Sequence, residues 1–409
     1  LGGIDRKFWS QLHLTSFPSM LKKAGLLTAS ISSFAQRHSA FHWYAGFDEA
    51  QRVPGSFGLE TADQVYALAS DWLTRKGQED NWFLHVHLWD PHTPYRAAAS
   101  YGEPFAEESL PEWLTEEVRE NHWLQAGPHS AQECNGFAPK PAMLDHYPRQ
   151  PQQISNMHDV RKMFDGYDTG VLVADEYFGR LLNDLEDLGV GEEVGVMLSS
   201  DHGETLGELN VYGDHQTSDQ LTTRIPMILK WPHADHLNGK SFDAMHYQID
   251  LMATLVELLG VRVPGSWDGE SFAESLNDGE DLGRGSLILS QGAWTCQRSV
   301  RWGDYMLIKT LHDGFHLYDD LMLFNVVNDP HEMNNLAGCS PEIIDEGLSI
   351  LECWYREMMP RAARGRDPLI NVINEGGPYH IRGQLEDYLA RLRDTGRGKL
   401  ADQLDEKHS

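Results

Sequence analysis

Basic residues are scarce in this chain. Its 409 residues carry 33 Lys and Arg against 62 Asp and Glu, a formal net charge of −29. Such a chain lacks the electrostatic footprint that a phosphate backbone demands, so nucleic acid is not expected as a partner. It also lacks a polybasic segment for anionic lipid, and no membrane partner is expected. Long apolar runs are missing too. The best stretch, Ile249–Val261, is broken by Asp250 and Glu257 and falls short of the ~18 residues of a membrane span. Cysteine is sparse: Cys134, Cys296, Cys339 and Cys353 show no Cys-x-x-Cys spacing. That pattern argues against a zinc ribbon or a disulfide framework and for reduced thiols. The chain has no internal repeat and no low-complexity tract, and it opens at Leu1 without Met or a signal-peptide pattern.

What is present is enough for a core. Hydrophobic residues make up 41%, with 12 Trp, 14 Tyr and 15 Phe, which excludes global disorder. The periodicity predicts helices at Phe17–Ala24, Glu60–Arg75, Asp168–Leu188 and Ile249–Leu259. It predicts strands at Leu26–Ile31, Trp82–Leu88, Val194–Ser199 and Ile225–Trp231. This alternation implies an α/β domain with a mostly parallel central sheet flanked by helices, over residues 1–285. Short antiparallel strands follow at Ser286–Gln291, Ser299–Arg301, Tyr305–Thr310 and Phe315–Tyr318. Helices near Pro341–Met359 and Gly383–Arg393 complete a C-terminal subdomain, residues 286–409. Residues Tyr95–Gln153 form a long, weakly periodic insert, of the kind that sits beside a site.

Three predicted strand ends deliver polar side chains. Asp201 and His202 end the Val194–Ser199 strand, where ligands bind in open α/β sheets. A carboxylate and an imidazole there can share one divalent ion, and a plain polar turn is the equal alternative. His92 lies in Trp89-Asp90-Pro91-His92-Thr93-Pro94-Tyr95, whose prolines stiffen the backbone. As imidazolium it can bind an anion or protonate a leaving group. His85 and His87 share one strand face and read as supporting residues. Arg37 and His38 follow the Leu26–Ile31 strand, and His215 follows the Asp201 turn; each alone reads as a loop residue. Their convergence is the layout of a hydrolytic site for an anionic ester.

Taken together, these segments resemble the sulfatase family of the alkaline phosphatase superfamily. The resemblance is carried in order by LKKAGLLTASI (Leu21–Ile31), Gly46-Phe47-Asp48, WDPHTPY (Trp89–Tyr95), SSDHGETLGE (Ser199–Glu208), Arg224–Ile228 and LYDDLMLFNVVNDPHEMNNL (Leu317–Leu336). It implies that Asp201 and His202 are ligands of a single divalent metal, with Ca2+ the first choice and Mg2+ or Mn2+ the alternatives. It implies that His92 contacts the sulfate. His215 stands where many members have a lysine that contacts sulfate and leaving oxygen. Ser32-Ser33-Phe34 stands where many have Gly-Lys-Trp-His, and Arg37 and His38 are the candidates to replace that pair. The family's Cys-x-Pro-Ser-Arg motif, whose cysteine becomes the formylglycine nucleophile, and its Asp-Asp metal pair occur nowhere in the sequence. Both precede the matched segments in the family, so they are expected upstream of Leu1.

The expected activity is therefore a metal-assisted sulfuric ester hydrolase acting on a small anionic ester, a sulfated carbohydrate or aryl sulfate. In the family, the hydrated aldehyde attacks sulfur and a histidine protonates the leaving alcohol. This chain supplies part of that site and by itself is expected not to turn over. The alternatives are a phosphodiester or phosphonate monoester hydrolase of the same superfamily, and a catalytically inactive sulfatase-like binding protein. Trp113, His122, Trp123 and His129 of the insert could stack on a sugar, or simply hold the insert to the domain.

Overall fold

A computed structural model describes residues 14–408 apart from 145, 233 and 363–364. The chain divides into two compact units. The first takes in the chain up to Gly102, Tyr167–Leu198 and Met227–Arg284, and the second takes in Glu103–Gly166, Ser199–Pro226 and the chain from Gly285.

In the first unit the strand Leu27–Ile31 is central. It pairs in parallel with Glu49–Gln51 on one side and Trp82–Val86 on the other. Parallel neighbours need a crossover, and the helix Ala62–Lys76 provides it. Its start is fixed by Gln64, whose side chain accepts from Thr61 N at 3.2 Å. Val65, Ala69, Trp72 and Leu73 recur at helical spacing and bury against Ala29 and Ile31, with Leu181 and Leu185 closing the cluster. The last two lie on the helix Met157–Asp187. That helix begins eleven residues before the expected Asp168, because Val160 and Met163 extend its apolar stripe, both fully buried. Val196–Ser199 pairs with Met227–Lys230. The Val196–Ser199 and Trp82–Val86 strands are half-buried throughout. Among the described residues, each pairs along one edge only.

The second unit holds a four-stranded antiparallel sheet, ordered Leu321–Asn325, Tyr305–His312, Cys296–Trp302, Ser286–Gln291. The two-residue period sorts its side chains. Val300, Trp302, Leu307 and Leu323 meet Leu351 of the helix Pro341–Met358. Met306, Ile308, Met322 and Phe324 form a cluster with Tyr318 and Leu209. The helices Leu385–Asp394 and Gly398–His408 bury Tyr388, Leu389, Leu392 and Leu404 with Phe315. The expected α/β architecture, parallel sheet and C-terminal antiparallel sheet are all present. One strand was misplaced. Phe315–Tyr318 is a turn, since Asp313 Oδ1 accepts from Phe315 N at 2.9 Å and Phe315 and Leu317 take φ of 71° and 60°. That side-chain bond favours a turn over a ladder. The pairing strand is Leu321–Asn325. All four cysteines are free thiols.

Candidate functional site

In the first unit the predicted residues gather around one indole. Trp89 is 3% exposed. The Arg37 guanidinium lies 5.2 Å from its ring centroid, a cation–π contact. The rings of His38 and His92 lie 6.4 and 5.7 Å from it. Arg37 and His38 arrive there because the chain turns into the one-turn helix Phe34–Arg37 directly after the central strand. Gly58 allows this, because a Cβ there would sit 2.5 Å from Arg37 Cδ.

The loop carrying His92 is tied down from several sides. His92 Nδ1 bonds the Thr93 carbonyl. Arg96 donates to the carbonyls of Gly58 and His92 at 2.9 and 3.2 Å. Asp90, 1% exposed, accepts from Ala62 N at 3.3 Å at the start of the crossover helix. Burial pushes the Asp90 carboxyl up to about 6. His85 and His87 bond Ser30 and Ser32 hydroxyls, each at 3.1 Å, which fits the supporting role read from their spacing.

In the second unit the Ser199-Ser200-Asp201-His202-Gly203 turn holds the other group. Gly203 is required there, since a Cβ would fall 1.9 Å from the Leu221 carbonyl oxygen. His202 Nδ1 bonds the Gly203 carbonyl at 2.8 Å. That bond sets the tautomer with the proton on Nδ1 and presents the Nε2 lone pair. Nε2 faces Asp201 Oδ2 at 3.7 Å, a separation at which a carboxylate oxygen and an imidazole nitrogen can share one divalent ion. The pair therefore fits the metal that its motif implies.

The His215 ring stacks on that of His202, centroids 3.7 Å apart. Burial pushes the His215 imidazole down to about 4, so it is neutral at neutral pH. Its backbone is fixed on both sides: its N–H donates to Asp214 Oδ1 at 2.7 Å and its carbonyl accepts from Gln291 Nε2 at 2.6 Å. Asp214 also reaches His129, Oδ2 to Nε2 3.2 Å. Burial pushes the His129 imidazole down as well.

Asp214 and Trp89 were missed in the sequence. Trp89 was read only as the first residue of the WDPHTPY segment, with no role of its own, because an indole before a loop reads as core. Asp214 adjoins His215, but nothing local couples it to His129 some eighty residues earlier. Two further rings of the insert contact other residues of the protein. His122 Nδ1 bonds the Tyr212 hydroxyl at 2.8 Å, and the Trp113 ring lies 5.4 Å from that of His331.

Comparison with known proteins follows the same lines. The profile of the sulfatase family matches residues 8–261, and that of the N-sulphoglucosamine sulphohydrolase C-terminal region matches residues 207–344. The chain is 24% identical to the multifunctional alkaline phosphatase superfamily protein PehA of Trinickia caryophylli, over 71% of this chain and 58% of the relative. It is 26% identical to an ulvan-active sulfatase of Formosa agariphila, over 63% of this chain and 51% of the relative. It is 26% identical to an endo-4-O-sulfatase of Bacteroides thetaiotaomicron, over 84% and 66%. The chain thus spans about half to two thirds of the length of these relatives. The fold is similar to that of a protein solved with its substrate D-glucosamine-2-N,6-O-disulfate, with a TM-score of 0.66, 20% identity and coverage of 86% and 83%. It is also similar to that of the phosphonate monoester hydrolase of Silicibacter pomeroyi, with a TM-score of 0.64, 18% identity and coverage of 87% and 81%.

Proposed function

The chain belongs to the sulfatase family of the alkaline phosphatase superfamily, and from that premise we propose that it serves the hydrolysis of a sulfate ester, carried by a sulfated sugar or an aryl group. The observation that carries this is the Asp201–His202 pair with His215 stacked on it at 3.7 Å. Asp201 and His202 hold the divalent metal, with Ca2+ favoured because the exposed Asp201 carboxylate is a hard oxygen ligand. When bound, the metal supplies positive charge against the negative charge that develops on the ester oxygens.

The chain's own residues do the rest. His215, held neutral, offers an N–H to an ester oxygen as a hydrogen-bond donor, and His92 is the candidate to protonate the leaving alcohol. Asp214 positions His215. Arg37, His38 and His92, gathered on Trp89, supply the cationic and N–H donors that an anionic sulfate needs. The nucleophile is expected upstream of Leu1, as a formylglycine. Carbohydrate esters are favoured as substrates because the relatives include an N-acetylglucosamine-6-O-sulfatase of Bacteroides thetaiotaomicron and an N-acetylglucosamine-6-sulfatase of Bos taurus.

The test compares 4-nitrophenyl sulfate, glucosamine 6-sulfate, bis(4-nitrophenyl) phosphate and a phenylphosphonate monoester. It uses a protein extended to include the expected upstream segment, with Ca2+, Mg2+ or Mn2+. Preferred turnover of the sulfate esters, lost in His202→Ala, supports the reading. Preferred turnover of the phosphorus esters moves the protein to the phosphonate or phosphodiester class. No turnover with intact sulfate binding makes it an inactive binding protein.

A further inference from the structure

In the second unit, the loop between the strands Ser286–Gln291 and Cys296–Trp302 is wired to His215. Gln291 Nε2 donates to the His215 carbonyl at 2.6 Å, and Gln291 Oε1 accepts from Gly292 N and Ala293 N, each at 2.8 Å. The Ala293 carbonyl in turn accepts from His380 N at 3.0 Å. These bonds hold two rings beside the Asp201–His202–His215 group. The His380 imidazole stacks on the Trp294 indole, with centroids 4.5 Å and planes 22° apart. Trp294 is half-buried and His380 is exposed. One face of His380 covers the indole, so the other face and the edge are what it exposes.

The insert adds a cation to this corner. His129 docks on the strand that leads to His215: its carbonyl accepts from Tyr212 N at 2.8 Å, and its Nε2 lies 3.2 Å from Asp214 Oδ2. Its ring meets the Trp294 indole edge to face, centroids 5.1 Å apart. Lys140 folds back onto His129. Gly136 makes room for this, because a Cβ there would sit 3.1 Å from Lys140 Nζ and 4.0 Å from His129 Nε2. The charges of Lys140 and His380 both reach His129. Lys140 is exposed and, among the described residues, makes no hydrogen bond or ion pair. In a chain of net charge −29, where carboxylates are plentiful, this ammonium is paired with none of them.

These groups select a ligand class. An exposed ring face suits the apolar face of a sugar. An ammonium without a counter-ion suits an anion. Contacts run in series from Lys140 through His129, Asp214 and His215 to His202. Lys140 stands at the end away from the metal pair, so the anion it takes is a second group of the substrate and not the ester that is cleaved.

We propose that Lys140 and the His380 face form a specificity subsite for a second anionic group, sulfate or carboxylate, on the sugar chain whose sulfate ester is cleaved. The proposal rests on the reading of Asp201, His202 and His215 as the hydrolytic group.

The test is calorimetric titration of the full chain, with Ca2+, against three esters. N-acetylglucosamine 6-sulfate carries one anion, N-sulfoglucosamine 6-sulfate adds a sulfate, and glucuronyl-N-acetylglucosamine 6-sulfate adds a carboxylate. At least one doubly charged ester binds about three- to fivefold more tightly than the singly charged one, the worth of one exposed ion pair. Which one does so identifies the second group. Lys140→Met removes the preference and Lys140→Arg keeps it. Lys399→Met, which removes an exposed lysine of the helix Gly398–His408, leaves it in place. His380→Ala weakens the sugar esters more than inorganic sulfate. The proposal is overturned if no ester binds, if the doubly charged esters bind no more tightly, if Lys140→Met keeps the preference, or if Lys399→Met removes it equally. It is also overturned if His380→Ala weakens esters and inorganic sulfate alike. His202→Ala separates the two readings. Affinity lost in His202→Ala with no Lys140-dependent preference refutes the subsite alone. A Lys140-dependent preference with every affinity unmoved in His202→Ala refutes the hydrolytic group and leaves a binding site for anionic sugars.

Discussion

Two glycines of one helix should respond oppositely to the same substitution. Gly170 and Gly179 both lie inside Met157–Asp187. Helix propensity alone says that alanine stabilises either position by about 1 kcal/mol. At Gly179 a Cβ meets nothing within 4 Å, so that gain should be realised. At Gly170 it would fall 2.4 Å from the Asp90 carbonyl oxygen, 2.8 Å from the Asp90 carbonyl carbon and 2.9 Å from Pro91 Cα. All three atoms are backbone, so no rotamer can relieve the overlap. The helix and the Asp90–His92 loop must separate by a good fraction of an ångström, and overpacking of this kind costs about 1–3 kcal/mol. Gly170→Ala should therefore be less stable than Gly179→Ala by about 1–3 kcal/mol, the cost of the clash, since the propensity gain is common to both. Urea titration followed by far-UV circular dichroism measures both against the unchanged chain. The loop moves in only one of them, so sulfate binding should also weaken in Gly170→Ala and not in Gly179→Ala. The reasoning fails if Gly170→Ala matches Gly179→Ala in stability.

Other expectations can be checked alongside. Asp201→Ala and His202→Ala should each lower Ca2+ affinity at least about tenfold by calorimetry, the cost of losing a metal-binding partner, with little change in the metal-free melting temperature. Truncating the buried indole in Trp89→Ala should destabilise the protein by about 3–5 kcal/mol and weaken inorganic sulfate binding, because Arg37, His38 and His92 lose their common platform. His122 is buried and its imidazole is pushed down to about 4 by burial. The unfolded chain therefore takes up its proton near pH 6.5 while the native chain does not. Stability from this residue is full above about pH 6.5 and is lost as pH falls toward 4, by at most about 3 kcal/mol. The stability gap between the unchanged chain and His122→Asn should accordingly narrow from pH 7 to pH 4.5 in urea titrations, and a widening gap would refute the assignment. Asp313 holds Lys407 and His408 at 2.8 Å each, so Asp313→Asn should loosen the helix Gly398–His408 and hasten its proteolytic clipping.

Periodic segments were legible because burial imposes a repeat on the chain. The helix Ala62–Lys76, the strand Ser286–Gln291 and the helix Pro341–Met358 fall within two residues of their predicted limits. The Glu49–Gln51 strand was not legible, since three residues cannot display a period. The helix Gly398–His408 hides in a charged tail, and only the cluster that buries Leu404 beside Phe315 makes it part of a core.

The site divides the same way. Asp201, His202, His92 and His215 were readable because each lies at a strand end or beside one, within a motif of specific residue types. Local sequence therefore determined the fold class and the family likeness, and it singled out the candidates for ester chemistry. Only the tertiary structure decided which of them touch. Trp89 gathers Arg37, His38 and His92 from segments some fifty residues apart, and Asp214 links His215 to His129. It also decided the protonation of those groups. Burial, which no residue encodes in its own neighbourhood, keeps His215 neutral and lifts Asp90. Contact between distant segments is a sum over the whole chain, and so is the loss of water that moves a pKa.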